Sequence, residues 1–127
     1  MANERSAVIS IGGKEYELVL TTLATKEVAA KYGGLDKMGE SLMTSENLTE
    51  QIDEVLWLIA LLANQEIIRH NHFHPEDKQE LLTEDIISLL TTPADLAECK
   101  NAIMEAIRKG TNREVESEAD TKNTAGE

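Results

Sequence analysis

Residues 48–70, LTEQIDEVLWLIALLANQEIIRH, form the longest segment of the chain with one sustained hydrophobic period. Ile52, Val55, Leu56, Ile59, Ala63 and Ile67 fall in a single stripe at about 100° per residue, the spacing of a helix facing a core. Asn47 followed three residues later by Glu50 has the form of a capping box, so the helix is expected to open at Leu48 and run to about His70. Its most apolar stretch, VLWLIALLA (residues 55–63), is nine residues long, less than half of the ~20 that a membrane span needs. A second patch of Trp57, Leu61 and Ile68 lies on nearly the opposite side, beside Asn64. It needs cover too. Either the N-terminal elements fold over it and make this a central core helix, or it faces a partner or a second copy. These three residues are the candidate partner-binding site.

Upstream, AVISIGGKEYELVL (residues 7–20) alternates with a period of two around Gly12-Gly13, a dipeptide suited to the positive φ angles of a two-residue hairpin turn. That turn pairs Ile11 with Lys14, Ile9 with Tyr16 and Ala7 with Leu18. It sets Ala7, Ile9, Ile11, Tyr16, Leu18 and Leu20 on one face and Ser10, Glu15 and Glu17 toward water. A lone hairpin is marginal in water, so the apolar face is expected to lie on helices or join another sheet edge. Leu23, Ala24, Val28 and Tyr32 then recur at helical spacing up to Gly33-Gly34, a C-cap signal. Leu35, Met38 and Leu42 make a short second helix that Gly39 weakens.

Downstream, HNHFHPEDK (residues 70–78) reads as a loop, because Pro75 disfavours helical geometry at His74. Thr83 with Glu84 and Asp85 starts a short helix carrying Ile86, Ile87, Leu89 and Leu90. Thr92-Pro93-Ala94-Asp95 combines a hydroxyl N-cap, a proline at the first helical position and a first-turn carboxylate. Leu96, Cys99, Ile103, Ala106 and Ile107 form the buried stripe of that last helix, and Gly110 is expected to end it. The predicted class is α+β and predominantly helical: a hairpin, about five helices and an acidic tail. The expected organisation is a flexible N-terminus at 1–6, one domain over 7–110 and a disordered tail over 111–127. The tail has one Val, two Ala and no larger apolar residue.

Composition narrows the function classes. Twelve Lys and Arg against twenty-four Asp and Glu give a net charge of −12, which repels a phosphate backbone in the absence of a basic stripe. The densest basic spot is Arg108-Lys109, and nucleic acid is not an expected partner. The N-terminus lacks the apolar core of a secretory signal, so a soluble cytosolic protein is expected. One cysteine, Cys99, excludes an internal disulfide, and its place in a helical stripe makes it a core hydrophobe before a nucleophile. His70, His72 and His74 alternate, and an extended segment would turn all three to one side, where they could approach one metal; a polar loop after a long helix is the plainer reading. There is no G-x-S-x-G elbow, no phosphate-binding loop and no dinucleotide fingerprint, and the carboxylates are spread over solvent-facing positions. Neither an enzyme nor a cofactor site is expected.

In order of elements the chain resembles the tail assembly chaperones of long-tailed bacteriophages and related prophages. Three segments carry the resemblance: IGGKEYELVL (residues 11–20), ATKEVAAKYGGLDKM (24–38) and TEDIISLLTTPADLAECKNAIMEAI (83–107). With the long helix they span about Val8 to Lys109. The resemblance implies a helper protein in the cytoplasm of the bacterial host. Such a helper binds the tape-measure protein, keeps it soluble while tail tube subunits assemble around it, and can self-associate. Many such families also make a longer, frameshifted form, and the acidic tail suits the junction where it would start. The family supplies no invariant motif to map onto individual residues. The competing reading is a structural phage protein, a minor tail or head-tail connector component; a regulator built on the three histidines stands behind it.

Overall fold

The structure, a computed structural model, describes residues 6–111. Strands β1 (Ser6–Ile11) and β2 (Lys14–Val19) precede helices α1 (Thr22–Tyr32), α2 (Leu35–Thr44), α3 (Leu48–Phe73), α4 (Glu84–Leu90) and α5 (Pro93–Thr111). The class is α+β and mostly helical, as the periodicities predict. One apolar cluster draws buried side chains from all seven elements, with Leu18, Leu58, Ile59, Leu62, Ile87 and Ile103 at its centre.

The hairpin adopts the expected register, with Ile11 opposite Lys14, Ile9 opposite Tyr16 and Ala7 opposite Leu18. Gly12 and Gly13 take φ of 59° and 83°, the left-handed pair that lets a two-residue turn follow the twist of its strands. The pairing reaches one step past the expected domain start, since Ser6 lies opposite Val19. The apolar face lies on helices: β2 packs on α3 and β1 on α5.

Helix α1 starts at an N-cap, Thr21, whose side chain accepts from the Ala24 N–H at 3.0 Å, and ends at Gly33 with φ 95°. Its core-facing stripe is narrower than expected. Ala24 and Val28 are buried, while Leu23, one step and about 100° away, is exposed. Helix α3 opens as predicted, Asn47 accepting from the Glu50 N–H at 3.0 Å. It then runs three residues past the expected end, through Phe73. The steric effect of Pro75 falls on His74 and leaves the preceding residues free to stay helical. The buried arc of α3 is also wider than one stripe. Leu58 and Leu62 are fully buried beside Val55, Leu56, Ile59 and Ala63, whereas Ile52 and Ile67 are half-buried. With β2, α1, α2, α4 and α5 all packed on it, α3 is the central element.

Helix α5 begins with a reciprocal cap. The Asp95 N–H donates to Thr92 Oγ1 at 3.3 Å, and the Thr92 N–H donates to Asp95 Oδ2 at 2.9 Å. Gly110 lies inside this helix, contrary to its expected role as terminator. A Cβ there would stand 2.9 Å from Leu20 Cβ, so the glycine marks a close approach between α5 and the chain leaving β2. Thr111, assigned from sequence to the tail, is the last residue of α5, and 1–5 and 112–127 lie outside the described residues. No helix among the described residues is long and apolar enough to cross a membrane.

Candidate protein-binding site

The three candidate residues on α3 meet different surroundings. Trp57 is half-buried beneath α1: Tyr32 meets it edge-on at 6.2 Å between ring centroids, and Lys31 Nζ stands 4.8 Å from its ring centre. Leu61 is half-buried against the core cluster. Ile68, 38% exposed, is the most open of the three. Polar ties hold this flank closed. Glu54 of α3 accepts from Ser41 Oγ of α2 at 2.9 and 3.0 Å and from the Tyr32 hydroxyl of α1 at 3.4 Å. Burial, then the Glu54 charge and the hydrogen bond to it, push the Tyr32 phenol up to about 12. Buried Gln65 accepts from Thr21 Oγ1, which fastens the start of α1, and donates to the Leu61 carbonyl at 2.9 Å.

The C-terminal flank of the same stripe is covered by the segment between α3 and α4. Asn64 donates to the Leu82 carbonyl at 2.9 Å and accepts from the Leu82 N–H at 2.8 Å. Asn71 repeats the arrangement on Gln79, donating to its carbonyl at 2.9 Å and accepting from its N–H at 2.8 Å. Each asparagine amide thus stands in for a neighbouring strand. The spacing explains the register: seven residues of helix rise about 10.5 Å, close to the ~10 Å that three extended residues span. Gln79–Leu82 is a strap tied at both ends, running antiparallel to α3.

Between this strap and β2 runs an open groove of about 620 Å³. Its apolar floor includes Tyr16, Ala63 and Ile67, and Glu15, Glu17, Glu66 and Glu80 stand along it against one base, Lys14. The strap and α4 leave much apolar surface in water. Leu81, Ile86 and Leu90 are about half exposed and Leu89 is 83% exposed, while Ile87 alone of α4 is buried. Sequence periodicity found these α4 residues but set the candidate partner surface at Trp57, Leu61 and Ile68, leaving open whether N-terminal elements cover it. The signal that could have corrected it is Asn64 and Asn71, polar residues seven apart on the same stripe as Leu61 and Ile68.

The histidines are not gathered on one side. All of α3 up to Phe73 is helical, so His70 and His74 stack at 4.8 Å between centroids while His72 turns away and meets Phe73 edge-on at 4.9 Å. His70 Nε2 is 2.9 Å from the Asp77 carbonyl, which ties the turn after α3 back to the helix. Among the described residues, no three His, Cys, Asp or Glu side chains gather as a metal would need. Cys99 is buried in α5, and burial, then the charges of Asp95 and Glu98, push its thiol up and away from the reactive thiolate. Comparisons of the chain with protein-family models, with curated proteins and with solved structures find no match.

Proposed function

We propose that the chain is a protein-binding assembly chaperone of the kind it resembles, holding a phage tape-measure protein soluble in the bacterial cytoplasm while tail tube subunits assemble. The observation that carries this reading is the apolar surface of the strap and α4, Leu81, Ile86, Leu89 and Leu90, on a body of net charge −12. A holdase needs both features. Apolar side chains supply contact at about 25 cal/mol per Å² removed from water, and strong net charge keeps the loaded complex dispersed. In this reading Trp57 and Leu61 mainly secure α1 and the core, and Ile68 is the member of the original patch that reaches a client.

Co-expression with the tape-measure protein tests the proposal. The client is expected to shift from the insoluble to the soluble fraction and to co-elute with this chain on a sizing column. Leu89→Asp is expected to weaken that complex at least tenfold while the helical circular dichroism stays unchanged. An insoluble client with no co-eluting species counts against the reading. So does finding the chain in purified virions by mass spectrometry, because a structural tail or connector protein stays in the particle and a chaperone leaves it.

A further inference from the structure

Among the described residues the hairpin has two edges and no third strand, so β2 presents one edge unpaired by any of them. With Ile11 and Lys14 flanking a two-residue turn, alternate residues bond inward: Lys14, Tyr16 and Leu18 direct their backbone groups to β1. Glu15 and Glu17 therefore direct their N–H and C=O groups outward, into the groove. Among the described residues, no other backbone group outside the hairpin pairs with them. The groove thus has an unfilled hydrogen-bonding edge on one wall, the tethered strap on the other and an apolar floor on α3.

We propose that this groove is a strand-addition site for an extended segment of a partner protein, one whose alternate residues are apolar and basic. A strand laid along β2 turns one set of side chains down onto Ala63 and Ile67. It turns the other set up beside the outer-face carboxylates of Glu15 and Glu17, where cross-strand Lys or Arg is the favourable neighbour. Charge selects the occupant. The rim holds Glu15, Glu17, Glu66 and Glu80 against Lys14, and Glu66 meets Arg69 at 3.4 Å, which leaves the rim acidic. A second copy of this chain arrives with a net charge of −12, and residues 112–127 carry five acids against two bases, so both are repelled where a basic segment is drawn in. This inference deepens the chaperone reading by naming the chemistry of the bound segment, and it is testable without the client.

The probe is a labelled peptide, KVKIKVKI, titrated into the full chain at low salt, with EVEIEVEI as its charge-reversed control. Saturable binding of one peptide per chain is expected, at least tenfold tighter than the control, with hydrogen exchange of the Glu15 and Glu17 amides slowed on binding. Glu15→Lys combined with Glu17→Lys, both on the hairpin's outer face, is expected to weaken it at least tenfold. Absence of saturable binding overturns the proposal, as does binding that leaves those two amides exchanging as before. Slow exchange of both amides in the unliganded chain also overturns it, because a second copy or the chain's own segment then fills the edge. Client solubilisation without peptide binding sinks the groove and spares the chaperone reading; peptide binding without any client complex does the reverse.

Discussion

The N-terminal and C-terminal flanks of one stripe along α3, around Trp57 and around Asn64 and Asn71, are covered by different means. On one, α1 lays Tyr32 and Lys31 over Trp57, and Glu54, Ser41 and Tyr32 tie three helices together. On the other, a strap is held through its backbone by Asn64 and Asn71, and α4 buries Ile87 alone while Leu89 stands in water. Side-chain packing makes the first flank part of the core. The second is fixed in place and yet open, which is what a rigid wall beside a binding groove requires.

Trp57→Asp breaks the comparison hardest if the first flank is core. Loss of a packed aromatic costs about 3–5 kcal/mol in a full core, and somewhat less at a half-buried site, with a charge stranded under α1 added to it. We expect a lower denaturation midpoint by urea and a chain unfolded or loosely packed near room temperature. Full stability with loss of client binding would make Trp57 a contact residue and reverse the roles of the flanks.

Asn64→Ala acts next, on the open flank. It removes two hydrogen bonds and leaves the Leu82 N–H and C=O partly buried without partners, at a cost of about 2–3 kcal/mol. The effect should be local. Hydrogen exchange is expected to speed up across the strap and α4 first, with α1 and α2 protected as before. Asn71→Ala, at the more exposed tie, is expected to cost less than about 1 kcal/mol by the same measurement.

These ties also mark where the sequence stopped being legible. The hairpin register followed from local rules: a two-residue glycine turn and a period of two leave one arrangement that buries Ile9, Ile11 and Leu18. The start of α5 was equally local, since Thr92 and Asp95 cap each other three residues apart. Asn64 binds the backbone of Leu82, eighteen positions on, and a backbone group has no side-chain signature to find. For the same reason the amphipathic pattern showed that Trp57 needed cover without showing that α1 gives it. It also kept α3 from reaching Phe73, because the proline effect was assigned to the whole His-rich segment when it acts on His74.

A smaller effect sharpens the comparison through pH. Tyr32 has a folded pKa of about 12 against an ordinary 10, so below pH 10 the phenol is protonated in both states and the pKa difference costs nothing. Between about 10 and 12 the unfolded chain loses this proton while the folded chain keeps it. The unfolded state then binds fewer protons, and stability falls as pH rises. Tyr32→Phe removes that contribution, so its stability from urea titration at pH 9 and 11 should fall less than that of the unsubstituted chain. An equal fall in both would show that Glu54 and the packing around Trp57 do not hold the phenol protonated.

The smallest expected change in stability belongs to Leu89→Ser, within about ±0.5 kcal/mol, because a side chain 83% exposed gives up almost no buried area. The same substitution carries the greater functional consequence, since it removes apolar contact from the surface proposed to meet the client. A shift of less than a degree or two in melting temperature, together with weaker client capture, separates binding from folding on α4. Destabilisation by more than 1 kcal/mol would instead mean that Leu89 is already covered in solution by a second copy or by part of this chain. Stability would then depend on concentration in the first case and not in the second. A dilution series of the melting temperature therefore decides whether the open flank is a vacant surface or an interface already in use.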